Sequence, residues 1–116
     1  MTGANTRAVA ACLTAYDAQE QPERATERQA VKDVLARLTE VAPGNSVEVR
    51  IPPYAAVQAV AGIRHRRGTP PASVECDART WLEVATGRLT WADAVAAGRI
   101  FASGERSDLA ALMPLV

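Results

Sequence analysis

The sequence predicts an α+β fold in which helices cover one face of a largely antiparallel or mixed sheet. Apolar residues recur at helical spacing over the first forty residues, and short strand-like runs follow at 47–51, 54–61, 73–76 and 99–103. Two short helical patterns lie between the last two of these runs. Helices, then strands, then a helical pair, a strand and a terminal helix are the order expected of a layer of helices packed on a sheet.

Two amphipathic helices are expected before residue 42, separated near Pro22. The first has Val9, Cys12 and Tyr16 at helical spacing. The second carries an apolar stripe of five residues: Val31, Val34, Leu35, Leu38 and Val41. It should end at Pro43-Gly44-Asn45, because glycine adopts a left-handed conformation readily and proline cannot continue a helix.

Three strands are expected next. Residues 47–51 alternate between apolar and charged, as in a strand with one buried face, and Pro52-Pro53 ends that strand. Residues 54–61 are more apolar, which predicts a second and more central strand. After a polar loop, residues 73–76 alternate again and predict a third, shorter strand.

The remaining elements are short and carry local signals. Asp77 can cap a helix over residues 78–86 that Gly87 ends, and Thr90 with Asp93 resembles a capping box. This second helix should close at Gly98.

Residues 99–103 then return as a strand. Ser107 or Asp108 is expected to cap a last helical segment that includes Leu109, Leu112 and Met113.

Composition restricts the class of protein. The 116 residues predict one domain over 1–116, with the N-terminal helices in 1–42 and the sheet, its inserted helical pair and the C-terminal helix in 46–116. Thirteen basic and thirteen acidic residues give zero net charge, which argues against nucleic acid as a partner. The apolar stretch at 8–15 is too short for a membrane span, so no integral membrane segment is expected and the protein is placed in the cytoplasm. Cys12 and Cys76 belong to no metal-binding pattern and are interpreted as buried apolar residues.

A series of motifs between residues 74 and 112 resembles the second half of the sterol carrier protein type 2 family. They occur in the family's order: Trp81-Leu82, then Thr86-Gly87-Arg88-Leu89, then Ala92 and Ala94 before Gly98-Arg99, then Ile100-Phe101-Ala102-Ser103-Gly104-Glu105. Residues 49–54 together with 67–71 look like a bacterial, actinobacterial-type branch of that family. The resemblance implies a sterol-carrier-like fold that binds and carries a hydrophobic, lipid-like molecule, with no cofactor.

Eight apolar residues are candidates to line the cavity that this resemblance implies: Trp81, Leu82, Leu89, Trp91, Val95, Ile100, Leu112 and Met113. The alternative is that these side chains fill the core and leave no hollow, because a domain of this size needs most of its large side chains for packing.

The loop after the second strand carries Arg64, Arg66 and Arg67, which could bind a phosphate or carboxylate at the mouth of a cavity. The alternative is a solvated loop. His65, the single histidine, lies among these arginines and has no apparent partner for general-base catalysis. No catalytic residue, cofactor or metal site is therefore assigned, and the protein is not expected to be an enzyme.

A second function remains open. The same fold resembles the second domain of thiol-dependent isomerases of the maleylpyruvate type, in which a helical bundle carries the chemistry. This chain lacks a histidine-rich bundle of that kind. It could instead be an accessory interaction module for such an enzyme or form a homodimer, and either role predicts an exposed apolar patch.

Overall fold

The computed structural model describes residues 4–62 and 72–116. It contains four α-helices, four strands and one 3₁₀ turn within those residues. Their bounds are α1 Ala4–Asp17, α2 Arg24–Val41, β1 Val47–Ile51, β2 Ala55–Ala59, β3 Ala72–Cys76, α3 Ala78–Ala85, α4 Trp91–Ala96, β4 Ile100–Ser103 and η1 Ala110–Leu112.

The strands form one mixed sheet in the order β2-β1-β3-β4. β1 pairs with β2 and β3 with β4 in antiparallel fashion, while the central pair, β1 and β3, is parallel. The register places Val49 opposite Val74 and Cys76 opposite Ile100. These residues are all buried, so they mark the face of the sheet that the helices cover.

The opposite face of the sheet is polar. Arg50 lies beside Glu75 in the parallel pair, and its Nε is 3.0 Å from Glu75 Oε1. Arg50 also contacts Glu48 on its own strand, at 3.2 Å. One buried apolar face and one ion-paired face confirm the predicted α+β fold with helices on one face of a mixed sheet.

The core lies between the sheet and the helices. α2 contributes Val31, Val34 and Leu38, all fully buried, and α1 packs on α2 and α3 through Val9, Cys12 and Tyr16. We call α1 to α4 together the helical layer.

Local signals placed the short helices correctly. The Asp77 carboxylate accepts from Thr80 N–H at 2.8 Å and caps α3, and Thr90 Oγ1 accepts from Asp93 N–H at 3.1 Å and caps α4. Gly44, just after α2, has φ +149°, and a Cβ there would lie 2.2 Å from Val60 O. Only glycine fits this close approach between the end of α2 and the end of β2.

The predicted central position of residues 54–61 is wrong, because β2 lies at an edge of the sheet. The strand is apolar for another reason. α2 packs on it, and Ala59 is buried while Ala55 and Val57 are half-buried. An edge strand covered by a helix can be as apolar as a central strand.

The predicted C-terminal helix is also wrong in extent, since only the single 3₁₀ turn η1 forms. Leu109 is the N-cap of this turn, and Asp108, just before it, accepts from Ala110 N–H at 2.9 Å. Ser107 Oγ donates to Gly104 O at 2.8 Å. Pro114 has no N–H to donate and prevents the turn from growing into an α-helix.

No helix within residues 4–62 or 72–116 combines the length and the apolar character needed to cross a membrane.

Candidate ligand-binding site

Trp81 and Leu82 are fully buried residues of the apolar core. Both are on α3, which Asp77 fixes at its N-terminus. α3 packs on α2 and α1, so these side chains lie within the helical layer. Both belong to the set of lining residues that the sequence predicts, and both are part of the buried apolar cluster.

Trp91 and Ile100 join this buried group from neighbouring elements. Trp91 begins α4 and is 6% exposed, and Ile100 begins β4 and is 3% exposed. The structure therefore places four predicted lining residues in one apolar cluster. Their burial is consistent with both interpretations of the sequence: these side chains either line a cavity or fill the core.

Three other predicted residues lie at the flank of the cluster. Leu89, Leu112 and Met113 are half-buried and pack against the core. The segment after η1 is held by two main-chain hydrogen bonds to Ala85 O, from Leu115 N–H at 2.8 Å and Val116 N–H at 3.1 Å. The flank of the cluster is thus covered by a short segment with little regular structure.

Val95 does not join the cluster. It is 43% exposed on α4, close to Phe101 on β4, which is 68% exposed. The two line an open depression of about 400 Å³ on the polar side of the sheet, together with Arg50 and Ser73. Sequence reasoning missed Phe101 as a surface residue, although its alternation with Ile100 gave the signal.

The largest depression described lies between α1 and α2, away from the tryptophans. It measures about 590 Å³ and is mostly apolar, with walls that include Ala8, Ala11, Ala25 and Gln29. Among the depressions described, one contains predicted lining residues: Val95 and Ile100 both line the depression of about 400 Å³ beside Phe101. A cavity lined by the whole predicted set remains a prediction, and the candidate anion ligands Arg64, Arg66 and Arg67 lie outside the described residues.

A second basic position, which the sequence reasoning did not single out, lies at the start of α2. Arg24 and Arg28 flank a depression of about 310 Å³ with Pro53 and Tyr54, and the Arg24 guanidinium lies 5.8 Å from the centre of the Tyr54 ring. The i, i+4 spacing of the two arginines was visible in the sequence, but the approach of Tyr54 depends on the fold.

A buried carboxylate connects three elements. Glu27 on α2 is 7% exposed and accepts hydrogen bonds from the Tyr16 hydroxyl on α1 and, at 2.7 Å, from the Tyr54 hydroxyl after β1. Burial, followed by the hydrogen bond to Glu27, raises the pKa of Tyr16 far above its usual value of 10.0. Both phenols therefore act as neutral donors at neutral pH, and Glu27 holds α1 and the β1–β2 connection to α2.

A second ionic group joins α3 to β4. Glu83 on α3 lies 2.7 Å from Arg99 Nη2 and 2.9 Å from Arg79 Nε, and Arg99 Nε donates to Thr80 Oγ1 at 3.0 Å. Burial raises the pKa of Glu83, but the hydrogen bonds from Arg79 and Arg99 outweigh it and lower the pKa below its usual value. The Gly-basic motif at residues 98–99 thus anchors the helical pair to the last strand.

The thiols are inert groups of the core. Burial raises the pKa of Cys12 to about 11 and that of Cys76 to about 12. Both are free and buried, as expected for cysteines that act as small apolar residues.

The fold and this site define a small α+β protein whose helices and sheet enclose an apolar core that includes both tryptophans. A family model described as bacterial SCP ortholog matches residues 23–115, which include every described element except α1. The chain belongs to this family, and the resemblance to sterol carrier proteins is confirmed. No curated protein matches the chain.

Proposed function

We propose that this protein binds and carries a hydrophobic, lipid-like ligand in the cytoplasm and performs no catalysis. The observation that carries the proposal is the family match, which covers the sheet, α2, the helical pair and both tryptophans. The chemistry of the described residues supports a role without catalysis. The pKa values of both thiols are raised, and the Glu27 carboxylate already accepts from two phenols.

The ligand occupies the space between the helical layer and the sheet, next to Trp81, Leu82 and Ile100. It enters at the flank where Leu89, Leu112 and Met113 are half-buried. Support for this route comes from the short cover there, which two main-chain hydrogen bonds to Ala85 O help to hold. Each such bond contributes about 1 kcal/mol. Arg37 Nε also donates to Leu115 O at 3.2 Å and the Leu115 side chain is buried, so displacing the cover breaks these contacts as well, but it leaves the packing of α1 and α2 in place.

The free energy gained by burying the ligand can offset part of the cost of opening this space. Burial of an aliphatic chain contributes about 0.8 kcal/mol per methylene, so ten methylenes contribute about 8 kcal/mol before the entropic cost of binding. An apolar ligand of this size can therefore offset the loss of a few contacts at the flank.

Lipid analysis of the freshly purified protein tests the proposal. We expect organic extraction followed by mass spectrometry to detect a lipid at near-stoichiometric amount, and the delipidated protein to bind the neutral fluorophore 1-aminoanthracene. Absence of both a co-purified lipid and saturable fluorophore binding contradicts the proposal.

Two matched truncations locate the site. Met113→Ala removes a half-buried side chain at the flank, and we expect it to change the affinity for 1-aminoanthracene several-fold. Val95→Ala removes an exposed side chain on α4 and should leave the affinity unchanged. A larger effect of Val95→Ala than of Met113→Ala would place the ligand on the outer face of the sheet.

A second candidate function is an interaction module for a helical-bundle enzyme, and one observation favours it. Phe101 is 68% exposed on the edge strand β4 with exposed Val95 nearby, and exposed apolar patches often mark sites of protein contact.

Phe101→Ser tests this second candidate. We expect immobilised wild-type protein to retain a helical-bundle enzyme from an extract of the source cells, and the Phe101→Ser variant to retain much less. A wild-type protein that sediments as a monomer and retains no such enzyme removes this candidate.

A further inference from the structure

One buried polar atom in the core has no partner. Trp81 is fully buried, and its indole Nε1 has no hydrogen-bond acceptor among residues 4–62 and 72–116. Leaving a buried donor without an acceptor costs about 1–3 kcal/mol, and such groups are rare in folded proteins. The Trp81 donor therefore needs a physical explanation.

The hydroxyls of Thr80 and Thr86, on α3 and just after it, are not the missing acceptor, because within the described residues neither forms a hydrogen bond with Trp81 Nε1. Thr80 Oγ1 instead accepts from Arg99 Nε, and Thr86 Oγ1 donates to Leu82 O at 2.8 Å. A buried water is a poor acceptor here, because such a water typically needs about three polar partners and Trp81 belongs to a cluster of apolar side chains. An oxygen atom carried by an apolar molecule would supply the missing acceptor, and the rest of that molecule would suit the apolar surroundings.

We propose that Trp81 Nε1 donates a hydrogen bond to an uncharged oxygen of the bound ligand, a hydroxyl or a carbonyl oxygen on an aliphatic body. This inference rests on the proposed function, and it narrows the ligand from any hydrocarbon to an alcohol, ester or ketone.

The same surroundings disfavour a carboxylate. A buried carboxylate requires a cation or several donors. Arg99, the cation that contacts α3 from the position just before β4, is already bound to Glu83 at 2.7 Å. A single neutral indole donor is matched by a single neutral acceptor. Trp81 therefore determines which polar group the ligand carries, while the apolar residues around Trp81 contact the ligand's aliphatic chain.

Displacement of 1-aminoanthracene by dodecane, 1-dodecanol, methyl dodecanoate and dodecanoate tests the inference. In the wild type we expect the alcohol and the ester to compete better than dodecanoate. Trp81→Phe keeps an aromatic ring and removes the donor. It should reduce the ratio of alcohol to alkane affinity by about 2- to 12-fold, the factor that corresponds to one net hydrogen bond. Trp91→Phe, the same replacement at the other tryptophan, should leave that ratio unchanged.

Nuclear magnetic resonance of the wild type keeps the inference testable if Trp81→Phe fails to fold. With ¹⁵N-labelled tryptophan, and with Trp91→Phe used for assignment, the Trp81 indole proton should move downfield with dodecanol and not with dodecane.

The outcomes separate the two proposals. If dodecane and dodecanol both bind but the affinity ratio and the indole proton do not respond to the oxygen, the inference is overturned and the carrier function stands. If no aliphatic ligand binds the wild type, the carrier function itself fails, and the role of Trp81 fails with it.

Discussion

At the scale of single residues, Glu27 is the side chain that links α1 and the β1–β2 connection to α2. Its carboxylate accepts from Tyr16 and Tyr54 while only 7% exposed. Glu27→Gln replaces one acceptor oxygen by an amide donor and leaves one phenol without an acceptor. We expect the free energy of unfolding, measured by urea denaturation at pH 7, to fall by about 1–3 kcal/mol.

Glu40→Gln is the matched control on the same helix. Glu40 contacts Arg37 at 3.1 Å with 64% of its side chain exposed, and exposed ion pairs contribute little. We expect a change below about 0.5 kcal/mol. Equal effects of the two replacements would show that the phenols contribute nothing through Glu27.

Residue-scale features were predictable where they are local. The sequence predicts Asp77 and Thr90 as caps, because a cap depends on the residue type at the start of the helix. In the structure each accepts from a backbone N–H three residues later. The partners of Glu27 are 11 and 27 residues away, and only the packing of three elements brings them together. An acidic residue within a helical pattern is normally predicted to be exposed, so nothing in the sequence indicates that Glu27 is buried against two tyrosines.

At the scale of elements, strand order was harder to predict than strand existence. The apolar character of residues 54–61 predicts a central strand, yet β2 is an edge strand that α2 covers. The apolar character of a strand indicates how far its side chains are buried. A helix packed on an edge strand can bury them as much as a central position in the sheet does. The parallel pairing of β1 with β3 is likewise a long-range choice that no local pattern encodes.

The Glu83 ion pairs join α3 to the start of β4, and they make the free energy of unfolding depend on pH. The pKa of Glu83 lies below its usual 4.5 in the folded state, so the unfolded chain binds the proton more tightly. The stabilisation is therefore complete above about pH 4.5 and is lost as the pH falls through the folded-state pKa. We expect Glu83→Gln to lower the free energy of unfolding by about 1–2 kcal/mol at pH 7 and by much less at pH 3.

Glu75→Gln serves as the control for this titration. Glu75 pairs with Arg50 on the outer face of the sheet with 43% of its side chain exposed. Its replacement should have a small effect at both pH values. A Glu83→Gln effect of the same size at pH 7 and pH 3 would mean that the lost stability comes from packing and not from the charge.

At the scale of the whole molecule, α1 raises the question of how far the folding unit extends. The family match begins at residue 23, after α1 has ended at Asp17. α1 nevertheless buries Val9 and Cys12 in the same apolar cluster as the core, and Tyr16 is bound to Glu27.

Because these contacts join α1 to α2 and α3, we expect the chain to unfold in one cooperative transition. In native-state hydrogen exchange the central amides of α1 should be protected to the same free energy as those of α2. Val9→Ala should lower the protection of both helices by the same amount, since a cavity in a shared core weakens the whole unit. Ala10→Ser on the exposed side of α1 is the control and should lower the protection by no more than about 0.5 kcal/mol, the difference in helix propensity. Early exchange of α1 alone, in the wild type, would limit the cooperative unit to the residues that the family model matches.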